Sequence, residues 1–97
     1  MAAYVINEIW VTQAERFQTY AVQVPPTLAP FGGRYVARSG ATHAIEGEPP
    51  GRIVILEFPD RAAAIAWRAS DAYQAILPIR DATSTSRVYV VDGYEPS

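Results

Sequence analysis

The feature that most constrains this chain is the order in which its apolar periodicities switch. A run alternating at period two, Tyr4 to Val11, gives way to apolar residues at helical spacing. Two more strand-like runs follow, Arg34 to Arg38 and Arg52 to Phe58. An alanine-rich helical stretch comes next, and a last strand, Arg87 to Val91, closes the order. Side chains alternate faces on a strand and recur every three to four residues on a helix, so each switch in period marks a boundary. The result is β-α-β-β-α-β within 97 residues. Right-handed crossovers in both halves give one antiparallel sheet, order 4-1-3-2, with the helices on one face. That is the α+β arrangement of a ferredoxin-like fold, and the length, residues 1–97, suits one domain.

Local signals refine the elements. Thr12 is placed to cap the first helix and Glu15 to complete a capping box, with the helix running from Gln13 to about Val24. Phe17, Tyr20, Ala21 and Val24 form its buried stripe. Pro25 and Pro26 break it, and Pro26 opens a short helix over Thr27 to Ala29. Gly40 signals a bulge in the second strand, which continues through Thr42 to Ile45. Gly47, Pro49, Pro50 and Gly51 supply the hairpin turn. Asp60 caps a helix from Arg61 to Ala69, whose inward stripe reads Ala62, Ile65, Ala66 and Ala69. Ser70 or Asp71 caps a short further turn holding Tyr73 and Ile76, which Pro78 interrupts, and Asp81 to Ser86 read as polar loop.

Composition excludes several chemistries. There is no cysteine, so disulfides, thiolate nucleophiles and cysteine-held metals are out. All eight cations are arginine, which excludes lysine Schiff-base chemistry. The net charge of -2 is no footprint for nucleic acid, which needs a clustered basic face. No apolar run is long enough to span a membrane, and MAAYVINEIW lacks a basic leader segment, so a cytoplasmic location is expected. No dinucleotide, P-loop, nucleophile-elbow or metal-binding motif appears, so the expected site needs no cofactor and no metal.

The helix-free face of the sheet raises a separate expectation. The first, third and last strands are apolar in both registers, so that face would present more apolar surface than a monomer tolerates. The expected partner is a second copy, packed face to face about a two-fold axis.

The segments YVINEI, GGRYVARSG, PPGRIVILEFP, AIAWRASDAYQ and TSRVYVVDGY together span nearly the whole chain. Their combination resembles the bacterial family catalogued as Domain of Unknown Function thirteen-thirty. The resemblance implies the dimeric α/β-barrel form of the ferredoxin-like fold, in which two sheets pack face to face. It implies no activity. Related barrels include monooxygenases and isomerases, an analogy at the level of fold alone.

Several polar residues stand out. Glu57 interrupts an apolar run, and a buried carboxylate must be paired, near solvent or protonated. One reading makes it a general acid or base in a pocket between helix and sheet; the other pairs it structurally with Arg34 or Arg38. Those two arginines are read on one side of the second strand, where they would hold a substrate carboxylate or deter edge-to-edge pairing. Trp67, Ser70 and Tyr73 recur every third residue and with Arg80 would wall a small pocket, Tyr73 in a catalytic role. Against this, aromatic residues at helical spacing are normally core, and Tyr20 invites the same choice. Asn7 and Glu8 read as structural, and the lone His43 as an exposed loop residue. Two functions follow: a small-molecule pocket for an organic acid or aromatic, with cofactor-free isomerase or monooxygenase-like chemistry, or a non-catalytic ligand-sensing or stress-response dimer.

Overall fold

The computed structural model describes residues 1–39 and 41–96. Its elements are β1 (Ala3–Val11), α1 (Ala14–Ala21), α2 (Pro25–Leu28), a 3-10 turn (Ala29–Phe31), β2 (Arg34–Ser39), β3 (Arg52–Phe58), α3 (Arg61–Ala69), α4 (Asp71–Thr83) and β4 (Ser84–Asp92). The strands form one antiparallel sheet in the order β2-β3-β1-β4, the order expected from the crossover rule. Among the described residues no helix is long and apolar enough to cross a membrane.

Alternation on the central strand sorts the sheet into two faces. Ala3, Val5, Asn7 and Ile9 of β1 are buried, and so are Leu56 and Phe58 of β3, which pair with Val5 and Ala3. These residues meet Phe17, Tyr20, Val24, Leu28, Ala64, Trp67, Tyr73 and Ile76 from the helices, which makes this the core. The opposite face carries Tyr4, Ile6, Glu8 and Trp10, with Ile53, Ile55 and Glu57 beside them on β3.

An aromatic chain crosses the core. Phe58 packs on Trp67 at 5.4 Å between ring centroids, and Trp67 packs on Tyr73 at 4.4 Å. The Tyr73 and Tyr20 rings meet edge to face at 6.2 Å, and Phe17 lies 5.4 Å from Tyr20. The polar ends of this chain are satisfied inside the core. The Tyr20 and Tyr73 hydroxyls share a hydrogen bond of 2.8 Å, and the Trp67 indole donates to Thr27 Oγ1 at 2.9 Å. Burial first, then the neighbouring Tyr73, pushes the Tyr20 phenol far above the ordinary tyrosine value, so it stays protonated.

The helices depart from the sequence reading in instructive ways. The α1 cap is Gln13, whose side chain makes no capping bond and donates to the Ala82 carbonyl at 3.2 Å; the N–H groups of Thr12 and Gln13 donate to the Thr83 carbonyl at 2.8 and 3.3 Å. That carbonyl does the work assigned to a Thr12–Glu15 box. The helix also ends at Ala21, and Pro25 and Pro26 occupy the opening of α2. On α3, Asp60 Oδ1 accepts from Ala63 N at 2.8 Å as expected, but the inward residues are Ala64 and Trp67, and Ile65 is 55% exposed. Burying one indole removes more apolar surface from water than burying several alanines, so Trp67 sets the rotation of the helix.

Pro78 does not interrupt the chain. It sits inside α4, at an exposed position, and α4 runs unbroken to Thr83, where β4 begins at once. An interior proline costs about 3 kcal/mol. Burial of the apolar Tyr73 and Ile76 along one stripe offsets it. Ser70 separates α3 from α4, with extended backbone; its hydroxyl donates to the Trp67 carbonyl at 2.7 Å and accepts from Tyr73 N at 3.3 Å.

The second strand holds the largest correction. Its ladder shifts between Tyr35 and Ala37, so Val36 is an extra residue, 41% exposed. Residues on either side of such a bulge exchange faces. Arg34 therefore lies opposite Glu57 on the helix-free face, while Arg38 lies opposite Val54 on the helix-covered face. The reading that put both arginines on one side fails for this reason. The expected bulge at Gly40 falls outside the described residues. Thr42 to Ile45 do not continue the strand, and Ile45 is 91% exposed.

Charges on the helix-free face are paired. Arg34 forms an ion pair with Glu57. Glu8 accepts from Arg87 Nη2 at 2.7 Å and from the Tyr89 hydroxyl at 2.6 Å. The Tyr89 bond, and then Arg87, hold the Glu8 carboxyl below its ordinary value. A lowered folded value means this stabilisation is present above the ordinary carboxylate range and is lost as pH falls through the folded value.

Two expectations test this architecture. A Cβ on Gly33 would lie 2.6 Å from Phe58 Cε1, and Phe58 is sealed in the core. Gly33→Ala should therefore cost about 2 kcal/mol or more in chemical denaturation, as overpacked cores do. Tyr73→Phe should cost about 1–3 kcal/mol by leaving the Tyr20 hydroxyl unpaired, whereas adding Tyr20→Phe should recover part of that loss, because removing both partners leaves no orphan. Additive losses in the cycle would show that the shared hydrogen bond is not what holds α1 to α4.

Candidate functional site

The face of the sheet decides which side chains can share a cavity. Where α1 passes over β2, β3 and β1, the helix leaves a cleft of about 300 Å³. Its floor is sheet: Asn7 from β1, Tyr35 and Arg38 from β2, Arg52 from β3. Its roof is α1, with Phe17 and Tyr20. The bulge at Val36 is what brings Arg38 here, since a regular strand would turn it to the other face.

The cleft is electropositive. The Arg38 guanidinium stacks over the Tyr35 ring at 4.5 Å, and that of Arg52 lies 5.1 Å from the Phe17 ring centroid. Among the described residues neither arginine forms an ion pair, and no carboxylate lines the cleft. Stacking holds each cation in place while leaving its N–H groups available. Asn7 is 7% exposed, and its Nδ2 donates to the Val54 carbonyl at 3.0 Å, which fixes the amide at the cleft floor. Burial also raises the Tyr35 phenol above its ordinary value, opposed by Arg38. Both tyrosines of the cleft are thus neutral hydrogen-bond donors at physiological pH, not bases.

Behind the Tyr20 wall lies Tyr73, which is 1% exposed and bonded to Tyr20 through its hydroxyl. Arg80 lies within electrostatic reach of Tyr20 and opposes the rise of its phenol. It is 3% exposed, and its Nε and Nη2 are sealed from solvent without a hydrogen-bond partner. A buried guanidinium in that state costs free energy, and any anion in the cleft lowers the cost.

The residues singled out from sequence therefore separate. Glu57 and Arg34 pair with each other on the helix-free face, away from this cleft and not in a pocket between helix and sheet. Arg38 does line the cleft. Tyr73 and Arg80 stand behind Tyr20, and Trp67 touches Tyr73 but points its indole at Thr27. Ser70 is a corner residue whose hydroxyl is spent on the backbone. Sequence reasoning missed Tyr35 and Arg52. Their signal was present: each stands on the core-facing register of its strand, where a polar group is out of place.

Comparison with known proteins places this geometry. Residues 2–94 match the family described as Domain of unknown function (DUF1330). No curated protein matches the chain. A structure of a protein of unknown function from Rhodopseudomonas palustris is similar, with a TM-score of 0.81 and 19% identity, over 98% of this chain and 84% of that one. A dimeric ferredoxin-like protein of unknown function from Jannaschia sp. CCS1 has a TM-score of 0.73 and 12% identity, over 96% of this chain and 100% of that one. SnoaB, a cofactor-independent oxygenase from Streptomyces nogalater, has a TM-score of 0.68 and 13% identity, over 98% of this chain and 95% of that one. At such identities the structures speak to the fold alone, which is ferredoxin-like, whereas the match across residues 2–94 shows that this chain belongs to the DUF1330 family.

Proposed function

We propose that the cleft under α1 binds a small aromatic or otherwise unsaturated organic acid as its anion, and that any turnover there is cofactor-free. The observation that carries this is the pair of stacked, unpaired arginines, Arg38 and Arg52, in a cleft without a carboxylate. The volume of about 300 Å³ meets the lower end of small-molecule sites. Phe17 and Tyr35 offer flat apolar surface to the ligand body, and the guanidinium groups offer bidentate contacts to its charged end.

The lining also limits the chemistry. Among the described residues it holds no histidine or carboxylate, and its phenols are kept protonated, so none of them is suited to removing a proton. A substrate that is already ionised needs no such base. Its reaction would be helped by cations and phenol donors aimed at the developing charge. The fold shared with the cofactor-independent oxygenase SnoaB agrees with oxygenase-type chemistry on such an anion. In this reading Tyr20 donates to the anion, Tyr73 positions Tyr20, and Arg80 adds positive potential from behind.

We further infer that a second copy covers the helix-free face. Trp10, Tyr89 and Val91 there are 39%, 47% and 49% exposed, and the charges between them are already paired within the chain. Covering that face buries apolar surface without stranding a charge. The dimeric state of the similar Jannaschia protein agrees with this.

Calorimetric titration with 2-naphthoate tests the first reading. The double variant Arg38→Gln/Arg52→Gln should weaken binding at least about tenfold, since each charge-assisted bond is worth about 1.5–3 kcal/mol, while the thermal midpoint stays nearly unchanged. Binding that ignores both substitutions would remove the cleft from consideration. Protein-dependent oxygen uptake with 1,4-dihydroxy-2-naphthoate, followed as rising pH ionises the substrate, then separates an oxygenase from a pure binding protein. For the second inference, sedimentation at micromolar concentration should return twice the chain mass, and Ile55→Arg should return a folded monomer. A monomer in the unaltered protein would refute the dimer.

A further inference from the structure

A second groove lies on the same face of the sheet, at its other edge. It runs between the α3–α4 corner and β4 and holds about 390 Å³. It shares no lining residue with the cleft under α1. Ile65 and Trp67 of α3 form one wall, and Val88 and Val90 of β4 form the other. Ile65 is 55% and Val90 36% exposed, an unusual openness for facing aliphatic side chains. Among the described residues, one charged side chain enters the groove: Arg68. Its guanidinium lies 4.9 Å from the Tyr73 ring centroid, and its Nη1 is sealed from solvent with no hydrogen-bond partner. No ion pair engages it.

We propose that this groove is a second ligand site, for an elongated apolar molecule with one carboxylate end, and that Arg68 receives the carboxylate. Two independent observations support it. The groove offers aliphatic and indole walls that gain by excluding water. The Arg68 guanidinium lines the groove without an ion-pair partner among the described residues, and a carboxylate in the groove supplies one through charge-assisted bonds. The corner that carries Arg68 is also braced, because Gln74 Nε2 donates to the Arg68 carbonyl at 2.8 Å. The cation is therefore held at the end of the groove before any ligand arrives, which lowers the ordering cost of binding. The shape differs from that of the first cleft, whose walls are aromatic and whose two cations suit a shorter, flatter acid.

The test is calorimetric titration of the full chain with decanoate and, separately, with decanol. Decanoate should bind at one site, and Arg68→Gln should weaken it at least tenfold while leaving decanol unaffected. Arg68→Lys should restore part of the loss. Ala69→Trp, which fills the mouth of the groove from an exposed position, should block both ligands. Each variant is compared with the parent for thermal midpoint, so that loss of fold is distinguished from loss of binding. The double variant Arg38→Gln/Arg52→Gln should bind decanoate as the parent does, whatever becomes of naphthoate. No decanoate binding, or binding that follows Arg38 and Arg52 and ignores Arg68, overturns the proposal.

Discussion

The contact on which the rest of the structure depends is the one between Trp67 and Tyr73. Their rings, 4.4 Å apart, stand on either side of the Ser70 corner. From this contact two buried hydrogen bonds reach outward. The indole bonds Thr27 and so fastens α3 to α2; the phenol bonds Tyr20 and so fastens α4 to α1. Thr27 in turn donates to the Val24 carbonyl at 2.7 Å. Four helices are thus tied by polar links that run through an apolar core. Each of these groups would be costly to bury alone, and together they satisfy one another. That arrangement fixes a unique rotation for each helix where apolar contact alone would allow several.

The same contact divides the helix-covered face. Tyr73 receives the Arg68 guanidinium against its ring on one side and bonds Tyr20, a wall of the α1 cleft, on the other. Tyr73 thus touches one lining residue of each cavity, Arg68 and Tyr20. Each has cations at its border, and among the described residues no carboxylate lines either. Of the acidic residues of the sheet, Glu8 and Glu57 face the other way and are paired there, and Asp92, opposite Ala3, is paired with Arg61. Each acidic residue of the sheet is thus neutralised, while Arg38, Arg52 and Arg68, which border the two cavities, form no ion pair among the described residues.

What the sequence made legible follows from the range of the interactions involved. Strand order, the span Arg52 to Phe58, the span Arg61 to Ala69 and the Asp60 cap all rest on local period and on a handedness rule, and the structure has them. The rotation of α3 does not rest on local period, because alanines give a weak stripe and the tertiary partner of Trp67 decides. Pro78 misled for a similar reason: its cost is local, while the burial that offsets it comes from other elements. The bulge at Val36 left no glycine or proline in the sequence to announce it. One unpaired residue there exchanged the faces of Arg34 and Arg38, and with them the composition of the site. Glu57, the most conspicuous residue in the sequence, was conspicuous only because its partner Arg34 lies 23 positions away.

Arg80 shows why such a site resists reading from a linear chain. In the linear chain it follows Pro78, which reads as a break, so nothing local places it on the buried stripe of a continuous helix. In the fold it is sealed, with two nitrogens lacking partners, beside a phenol that burial keeps neutral. The two effects oppose each other: desolvation raises the Tyr20 phenol and the Arg80 charge lowers it, and desolvation wins because both groups sit in the same dry interior. Among the described residues no ion pair engages Arg80 and no carboxylate lines the cleft in front of Tyr20. A neutral donor with a cation behind it favours negative charge in front of it, and the cleft opens where that charge would sit. In the proposed reading, a preference for an anion needs no motif; it follows from the arginines left without an ion pair on the side the helices cover.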